Sequence, residues 1–418
     1  MFGILLGKKE YHIDVSTLAF IDIAFIILSA GTKWGYIFRP YACYGLIILA
    51  MINIAITRRV NLSKITLFYS VLLIMMLINC YFSYDRLVSF NFFVEYLSVF
   101  LFCITTDLSN FDSRLFKVID VLTIVVAISI IISVPNPAAF ARVFQFMLGD
   151  VSTFISRGNN GQYSGFAKEI AEAAVLMNYG LAVQWAEAFT KGIHKKNVIK
   201  MIVLFIGLLL TTKRTLLVVA IVAPLLFFFL SRIQITTKVK AFIAIVFVGV
   251  IAYIIVSNVP ALSTVIGRFQ DLDTDESHGG REILWTYSRM MFDSNPTWGI
   301  GYGTFNSFFN TNYGNEIIKM NWIAYGHNIY LEALGEIGIV GTILFFMPVM
   351  AAVIIGIYEI RTGHEQQRKY RFFFWTYVII MYIIYGYSGN CIYYIQQLVM
   401  FVLAVSRIFR NKEASVLE

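Results

Sequence analysis

The sequence predicts an all-α protein that crosses a membrane many times, and three observations carry that reading. The 418 residues are 58% hydrophobic and only 14% charged, with a mean hydropathy of +0.72, which is too apolar for a fold that keeps polar faces in water. Apolar runs of roughly 17–25 residues recur, each long enough as a helix to span a hydrocarbon core of about 30 Å. Their lack of interruption excludes a β-barrel. The net charge of +8 does not form a nucleic-acid face, because Lys and Arg collect in short loops between the runs, the bias of cytoplasmic loops. Cys43, Cys80, Cys103 and Cys391 all fall inside apolar runs without CxxC spacing, so neither a disulfide framework nor a metal site is expected.

Taken in order, the chain divides into about twelve spans. The first two, about 15–31 and 36–56, lead to the basic loop Thr57–Lys64 on the inside. Spans at about 65–84 and 87–106 make a hairpin with Asp85 and Arg86 at its outer tip, and a fifth runs to about 134. The segment Pro135 to Phe166, with Arg142, Arg157 and a Pro-Asn-Pro break, is an outer loop able to re-enter the membrane. Span six, about 167–189, opens with Lys168, Glu169 and Glu172, charges that must face water or one another. His194, Lys195 and Lys196 follow inside. Spans seven and eight, about 198–212 and 215–231, meet outside at Thr211-Thr212-Lys213-Arg214-Thr215. A ninth, about 241–257, leads into the one large polar insertion, about 258–326, placed outside by parity. Span ten follows His327, and spans eleven and twelve cover about 372–388 and 391–406. The chain is thus one membrane domain, 1–418, with one large outer loop, both termini cytoplasmic, and no cleavable leader expected at Gly7-Lys8-Lys9.

The boundary between that loop and span ten reads Gly326-His327-Asn328-Ile329-Tyr330-Leu331-Glu332-Ala333-Leu334-Gly335-Glu336-Ile337-Gly338-Ile339-Val340-Gly341. As a helix it would place His327, Leu331, Leu334, Gly338 and Gly341 on one face. Gly338 and Gly341 would then admit a neighbouring helix closely. Taken alone, His327 caps a membrane helix at the interface. Three other polar features lie outside. Arg214 sits in the tight turn between spans seven and eight, where an isolated arginine would reach for headgroups. Arg281 follows Gly279 and Gly280 and shares a helical face with Trp285. Gly299-Ile300-Gly301-Tyr302-Gly303 lacks the strand and the glycine spacing of a dinucleotide loop. Trp285, Trp298, Trp322 and the nearby tyrosines form either sugar-stacking surfaces or an interfacial aromatic belt.

His327-Asn328, nine residues, then Gly338-x-x-Gly341 resembles the signature of the O-antigen ligase and Wzy-type polymerase family of bacterial membrane glycosyltransferases. The Thr-rich turn at Arg214, the arginine with a following aromatic at Arg281, and the Gly-rich turn before the histidine resemble that family too. The resemblance implies a GT-C-like fold, His327, Arg214 and Arg281 as catalytic residues, and Asn328, Lys213, Arg157, Trp285 and Tyr330 lining the substrate site. It implies an undecaprenyl-diphosphate-linked glycan donor, a glycan acceptor, a chain-length regulator and a flippase as partners, with no metal, no cofactor and no nucleic acid. The setting it implies is the bacterial cytoplasmic membrane, with the active site on the extracytoplasmic side. A polymerase of lipid-linked repeat units, a ligase delivering to lipid A-core, and a transporter of such glycans are the readings open to it. A single cysteine at Ser277 should react with an impermeant thiol reagent from outside and one at Lys196 should not; the reverse would invert the topology.

Overall fold

The computed structural model describes residues 2–6, 9–13, 15–29, 33–57, 64–105, 111–148, 150–230, 236, 258, 276–313, 325–363 and 365–417. The predicted ninth span, Trp322 and much of the outer insertion lie outside them. Among the described residues, strands are confined to a hairpin of β1 (Phe2–Leu6) and β2 (Lys9–Ile13), paired antiparallel with Phe2 opposite Ile13. All other regular structure is helical.

Helices stand where spans one to eight were expected: α1 (Val15–Ser29), α2 (Lys33–Thr57), α3 (Lys64–Phe82), α4 (Arg86–Thr105), α5 (Phe111–Ser133), α8 (Ile170–Lys191), α9 (Lys195–Leu210) and α10 (Arg214–Leu230). Spans ten to twelve correspond to α13 (Ile329–Thr362), α14 (Gln366–Gly386) and α15 (Ile395–Leu417). The outer insertion contributes α11 (Glu276–Ser294) and α12 (Phe305–Tyr313).

By length and composition, Ile65–Phe82, Arg86–Thr105, Phe111–Ser133 and Ile329–Thr362 can each cross a membrane. The class is therefore a polytopic membrane protein; four such stretches lie among the described residues, whereas the twelve expected spans cover the whole chain. Burial explains part of the difference. α8 and α14 are enclosed by other helices along most of their length, so they tolerate Asn178, Gln184 and Thr376 that a lipid-facing helix would not. The outer helices show the converse. Val121, Val125, Ile128 and Ile132 on α5, and Ile339, Ile343, Met347, Met350, Ile354 and Tyr358 on α13, are exposed at steps of three and four, a continuous apolar stripe that only lipid accommodates.

The segment expected as an outer loop is folded. Its helices α6 (Pro137–Phe144) and α7 (Val151–Asn159) are capped by Asn136 and Asp150, whose side chains accept from Ala139 N and Ser152 N at 2.9 Å each. Phe140, Phe144, Phe154 and Phe166 pack between them. The charges opening span six find partners: Glu169 pairs with Arg157, and Glu172 accepts from Gln396 Nε2 at 2.5 Å. Other ion pairs gather on residues assigned to the inner side: Asp112 with Arg407 at 2.9 Å, Glu359 with Arg368 at 2.7 Å, and Asp120 with Lys200.

The histidine stretch departs from the expected helix at both ends. α13 begins at Ile329, so His327 precedes it, and the helix is interrupted at Gly338, whose φ is +65°. His327 and Gly338 therefore share no helical face. The interruption frees the carbonyls of Gly335 and Glu336 from the N–H groups of Ile339 and Val340, their partners in an unbroken helix. Residues 296–301 of the outer insertion satisfy all four freed groups. Ile300 N donates to Gly335 O at 3.1 Å and Gly301 N to Glu336 O at 2.9 Å; Ile339 N donates to Pro296 O at 2.9 Å and Val340 N to Thr297 O at 3.3 Å. A Cβ on Gly338 would lie 2.3 Å from Thr297 O, and one on Gly299 2.3 Å from Glu336 O. Gly341, by contrast, does face a helix, its missing Cβ directed at Met75 of α3.

Gly338→Ala should destabilise by more than the left-handed dihedral alone, about 1–2 kcal/mol, because the side chain also strikes the docked backbone. Gly192→Ala, at φ +90° with nothing within 4 Å, isolates the dihedral effect. Thermal midpoints in detergent should fall clearly further for Gly338→Ala; equal shifts would deny the seat any energetic role.

Candidate active site

The site is assembled where three turns and one helix of the outer insertion meet. The first lies between α9 and α10. Thr212 is buried and left-handed, φ +56°, and Thr211 Oγ1 donates to Leu208 O at 2.7 Å. This delivers Lys213 just before α10 and makes Arg214 its first residue. A cation at a helix N-terminus opposes the helix dipole, whereas an anion there is favoured. Thr215 Oγ1 meets Ser388 Oγ at 2.6 Å, pinning this turn to the junction between α14 and α15. Tyr163 N donates to Leu210 O at 3.0 Å, joining the α7–α8 segment to the same place.

His327 is the second turn. Its φ of +51° makes it, with Thr212, one of two non-glycine residues in the left-handed region among those described. Strain of this kind is retained where the surroundings over-determine the backbone, as at functional sites. The surroundings are identifiable. Gly326 N donates to the Glu332 carboxylate, while Asn328 caps α13, its Oδ1 accepting from Tyr330 N at 3.1 Å and Leu331 N at 3.2 Å. The imidazole Nδ1 lies 3.3 Å from Asn390 Nδ2 in the α14–α15 turn.

α11 brings the third element. Its Ser288–Met291 stretch lies against Gly335 and Gly326, where any side chain would collide. Arg281 and Trp285, one turn apart, sit at the end nearer the histidine, and Trp285 meets Tyr387 edge-on at 6.0 Å between ring centroids. Burial, then the positive charges of Arg281 and Lys213, push the His327 pKa down to about 4. The imidazole is consequently neutral near pH 7, with a lone pair available.

The structure thus brings His327, Arg281 and Lys213 together, with Arg214 next in the chain and Trp285 on the face of Arg281. Other expected site residues also bond within the protein. Asn328 is a helix cap, the Tyr330 hydroxyl donates to Ile383 O at 2.6 Å, and Arg157 pairs with Glu169. Three residues went unassigned in the sequence. Glu336 accepts from Gly303 N at 2.8 Å, Phe305 N at 2.9 Å and the Tyr393 hydroxyl at 2.6 Å, clamping the Gly-rich turn. Glu332 holds the peptide beside His327, and Asn390 holds its ring. Glu332 and Glu336, four apart in an apolar span, are the kind of intramembrane carboxylates that mark a working site; Asn390 left no such trace.

The fold and this cluster define a polytopic membrane protein in which cationic side chains act on a neutral histidine. Residues 199–346 match the family described as O-antigen ligase, a domain that includes Lys213, Arg214, Arg281, His327 and Gly338 and leaves out Arg157 and Asn390. That match bears out the resemblance over those residues and supports an enzyme of the glycan-transfer kind. No curated protein gives a significant match to the chain.

His327 should react with diethyl pyrocarbonate at pH 5.5, where an ordinary imidazole is largely protonated, with its reactivity falling only near pH 4. Lys213→Met removes a charge that opposes protonation, so the midpoint should move up toward 6.5. A wild-type midpoint already near 6.5, by peptide mass spectrometry, would contradict the charge cluster.

Proposed function

We propose that this protein joins undecaprenyl-diphosphate-linked oligosaccharide repeat units at the outer face of a bacterial cytoplasmic membrane, as a polymerase using inverting glycosyl transfer. The observation that carries the reading is the neutral His327 flanked by Arg281 and Lys213, beside Arg214, inside the matched domain. In the proposed step the acceptor hydroxyl oxygen attacks the anomeric carbon of the donor sugar. The bond from that carbon to the diphosphate oxygen breaks, and its electron pair leaves with the diphosphate. The hydroxyl proton passes to the ring nitrogen of His327 that faces the substrate. Charge developing on the leaving diphosphate is met by Arg214, Arg281 and Lys213, with the planar guanidinium groups suited to paired phosphate oxygens. The Trp285–Tyr387 pair offers a ring surface for the sugar.

Twelve crossings, cytoplasmic termini and an outward-facing site belong to the same proposal. A shared side for the site is supported by contacts that join the Asp85 hairpin tip to the Gly-rich turn, and the Arg214 turn and His327 to the α14–α15 turn, features that charge bias assigns to one side.

His327→Ala should leave folded protein in the membrane and lipid-linked single repeats accumulating. Arg214→Lys and Arg281→Lys should each lower the rate about tenfold or more, equivalent to about 1.4 kcal/mol. Purified protein with synthetic lipid-linked repeats should lengthen chains without lipid A-core. Growth only when that acceptor is present, one glycan per acceptor, would establish the ligase instead, and repeats that cross a bilayer without joining would establish a transporter.

A further inference from the structure

Asn390 lies in the turn between α14 and α15, outside the matched domain, and is 3% exposed. Its amide nitrogen is 3.3 Å from Nδ1 of His327, while its Oδ1 is buried with no hydrogen-bond partner among the described residues. The histidine cannot easily swing away from it, because the backbone on either side is held by Glu332 and by the Asn328 cap. Nδ1 therefore faces the protein, and Nε2 is the nitrogen left for substrate.

We infer that Asn390 is the positioning residue for His327: its amide decides which ring nitrogen carries the proton, and during transfer its oxygen holds Nδ1–H while Nε2 offers its lone pair to the acceptor hydroxyl. This rests on the transfer reading for the role of Nε2, but not for the contact itself. An amide turned by half a revolution exchanges nitrogen for oxygen with little change in shape. With the nitrogen inward, Nδ1 must accept and Nε2 must carry the hydrogen, which leaves no lone pair outward. With the oxygen inward, Nδ1–H is bonded and Nε2 is free. An imidazolium has hydrogens on both nitrogens, so once Nε2 has taken the hydroxyl proton only the oxygen can remain at Nδ1. The acceptor on Asn390 that is unspent in the resting arrangement is the one the reaction requires.

The charged groups acting on the ring are Arg281 from α11 and Lys213 from the α9–α10 turn; Glu332 of α13 holds the adjoining Gly326 amide, and Cys391, next to Asn390 in the same turn, and Tyr385 of α14 are titratable side chains of the surrounding structure. Among these an asparagine orients the ring without adding charge. A carboxylate in its place would still orient the ring and would also favour the imidazolium.

The full-length protein should be compared with Asn390→Asp and Asn390→Ala in chain-lengthening assays between pH 4.5 and 8.5. Aspartate should preserve activity at high pH and move the acid limb of the pH–rate profile up by about one unit or more. Alanine should lower kcat by about tenfold or more with little change in the KM for the lipid-linked donor. Coincident acid limbs for wild type and Asn390→Asp would overturn the inference. A measurement free of turnover accompanies these: in protein with 15N-labelled histidine, the His327 signal, identified by its loss in His327→Ala, should report one tautomer in the wild type and a mixture in Asn390→Ala. A mixture in the wild type itself would overturn the role of Asn390, whether or not chains are lengthened.

Discussion

The exchange of backbone hydrogen bonds at Gly338 is the constraint on which the rest of the outer structure depends. A helix inside a membrane cannot simply stop, because each N–H or C=O left bare in a low-dielectric setting costs several kcal/mol. Here the two carbonyls and two N–H groups released by the interruption are all taken up by residues 296–301. Asn79 of α3 adds its amide to the carbonyls of Trp298 and Glu336, at 2.9 and 3.3 Å. The outer insertion is thereby stitched into the helix that follows His327. α11, held against Gly326 and Gly335, then carries Arg281 to the histidine, so the position of a cation follows from the break in a helix.

Two carboxylates complete this arrangement from the same helix. Glu336 secures the Gly-rich turn and the start of α12, and Glu332 secures the peptide before the histidine. Both are enclosed; Glu336 spends both oxygens on backbone N–H groups and Glu332 one of its two, the usual way a buried carboxylate is accommodated. One helical segment of about two turns therefore fixes the loop through one residue and the histidine through another. The left-handed backbone of His327 is held between that bond and the cap that follows it.

Much of this architecture was legible in the sequence because it follows from apolar run length and from where basic residues fall. Helices α3, α4, α5 and α13 stand where those runs lie, and the Arg214 turn, Arg281 and His327 converge although 113 positions separate the first of them from the last. The misreadings have a common physical cause. Periodicity assumes an unbroken helix and so aligns Leu331, Leu334, Gly338 and His327 on one face, whereas glycine permits a dihedral that no pattern of hydrophobicity reveals. Likewise α6 and α7 were hidden by a Pro-Asn-Pro string that reads as a breaker but supplies an N-cap and a first-turn proline. α8 and α14 illustrate another limit, since a helix surrounded by protein need not be as apolar as one facing lipid. Asn390 was invisible because its importance lies in a contact 63 positions away.

The low basicity of His327 has its own consequence. Part of it is imposed by the positive charges of Arg281 and Lys213, and repulsion of that kind is weakened by any anion brought close to the ring. Any phosphate-bearing molecule that settles against them relieves the repulsion and strengthens the imidazole as a proton acceptor. By reciprocity, a protonated histidine strengthens the hold on the anion. Anion binding and imidazole basicity are therefore linked: an anion that raises the basicity of the ring is itself held more tightly, by the same free energy, once the ring is protonated.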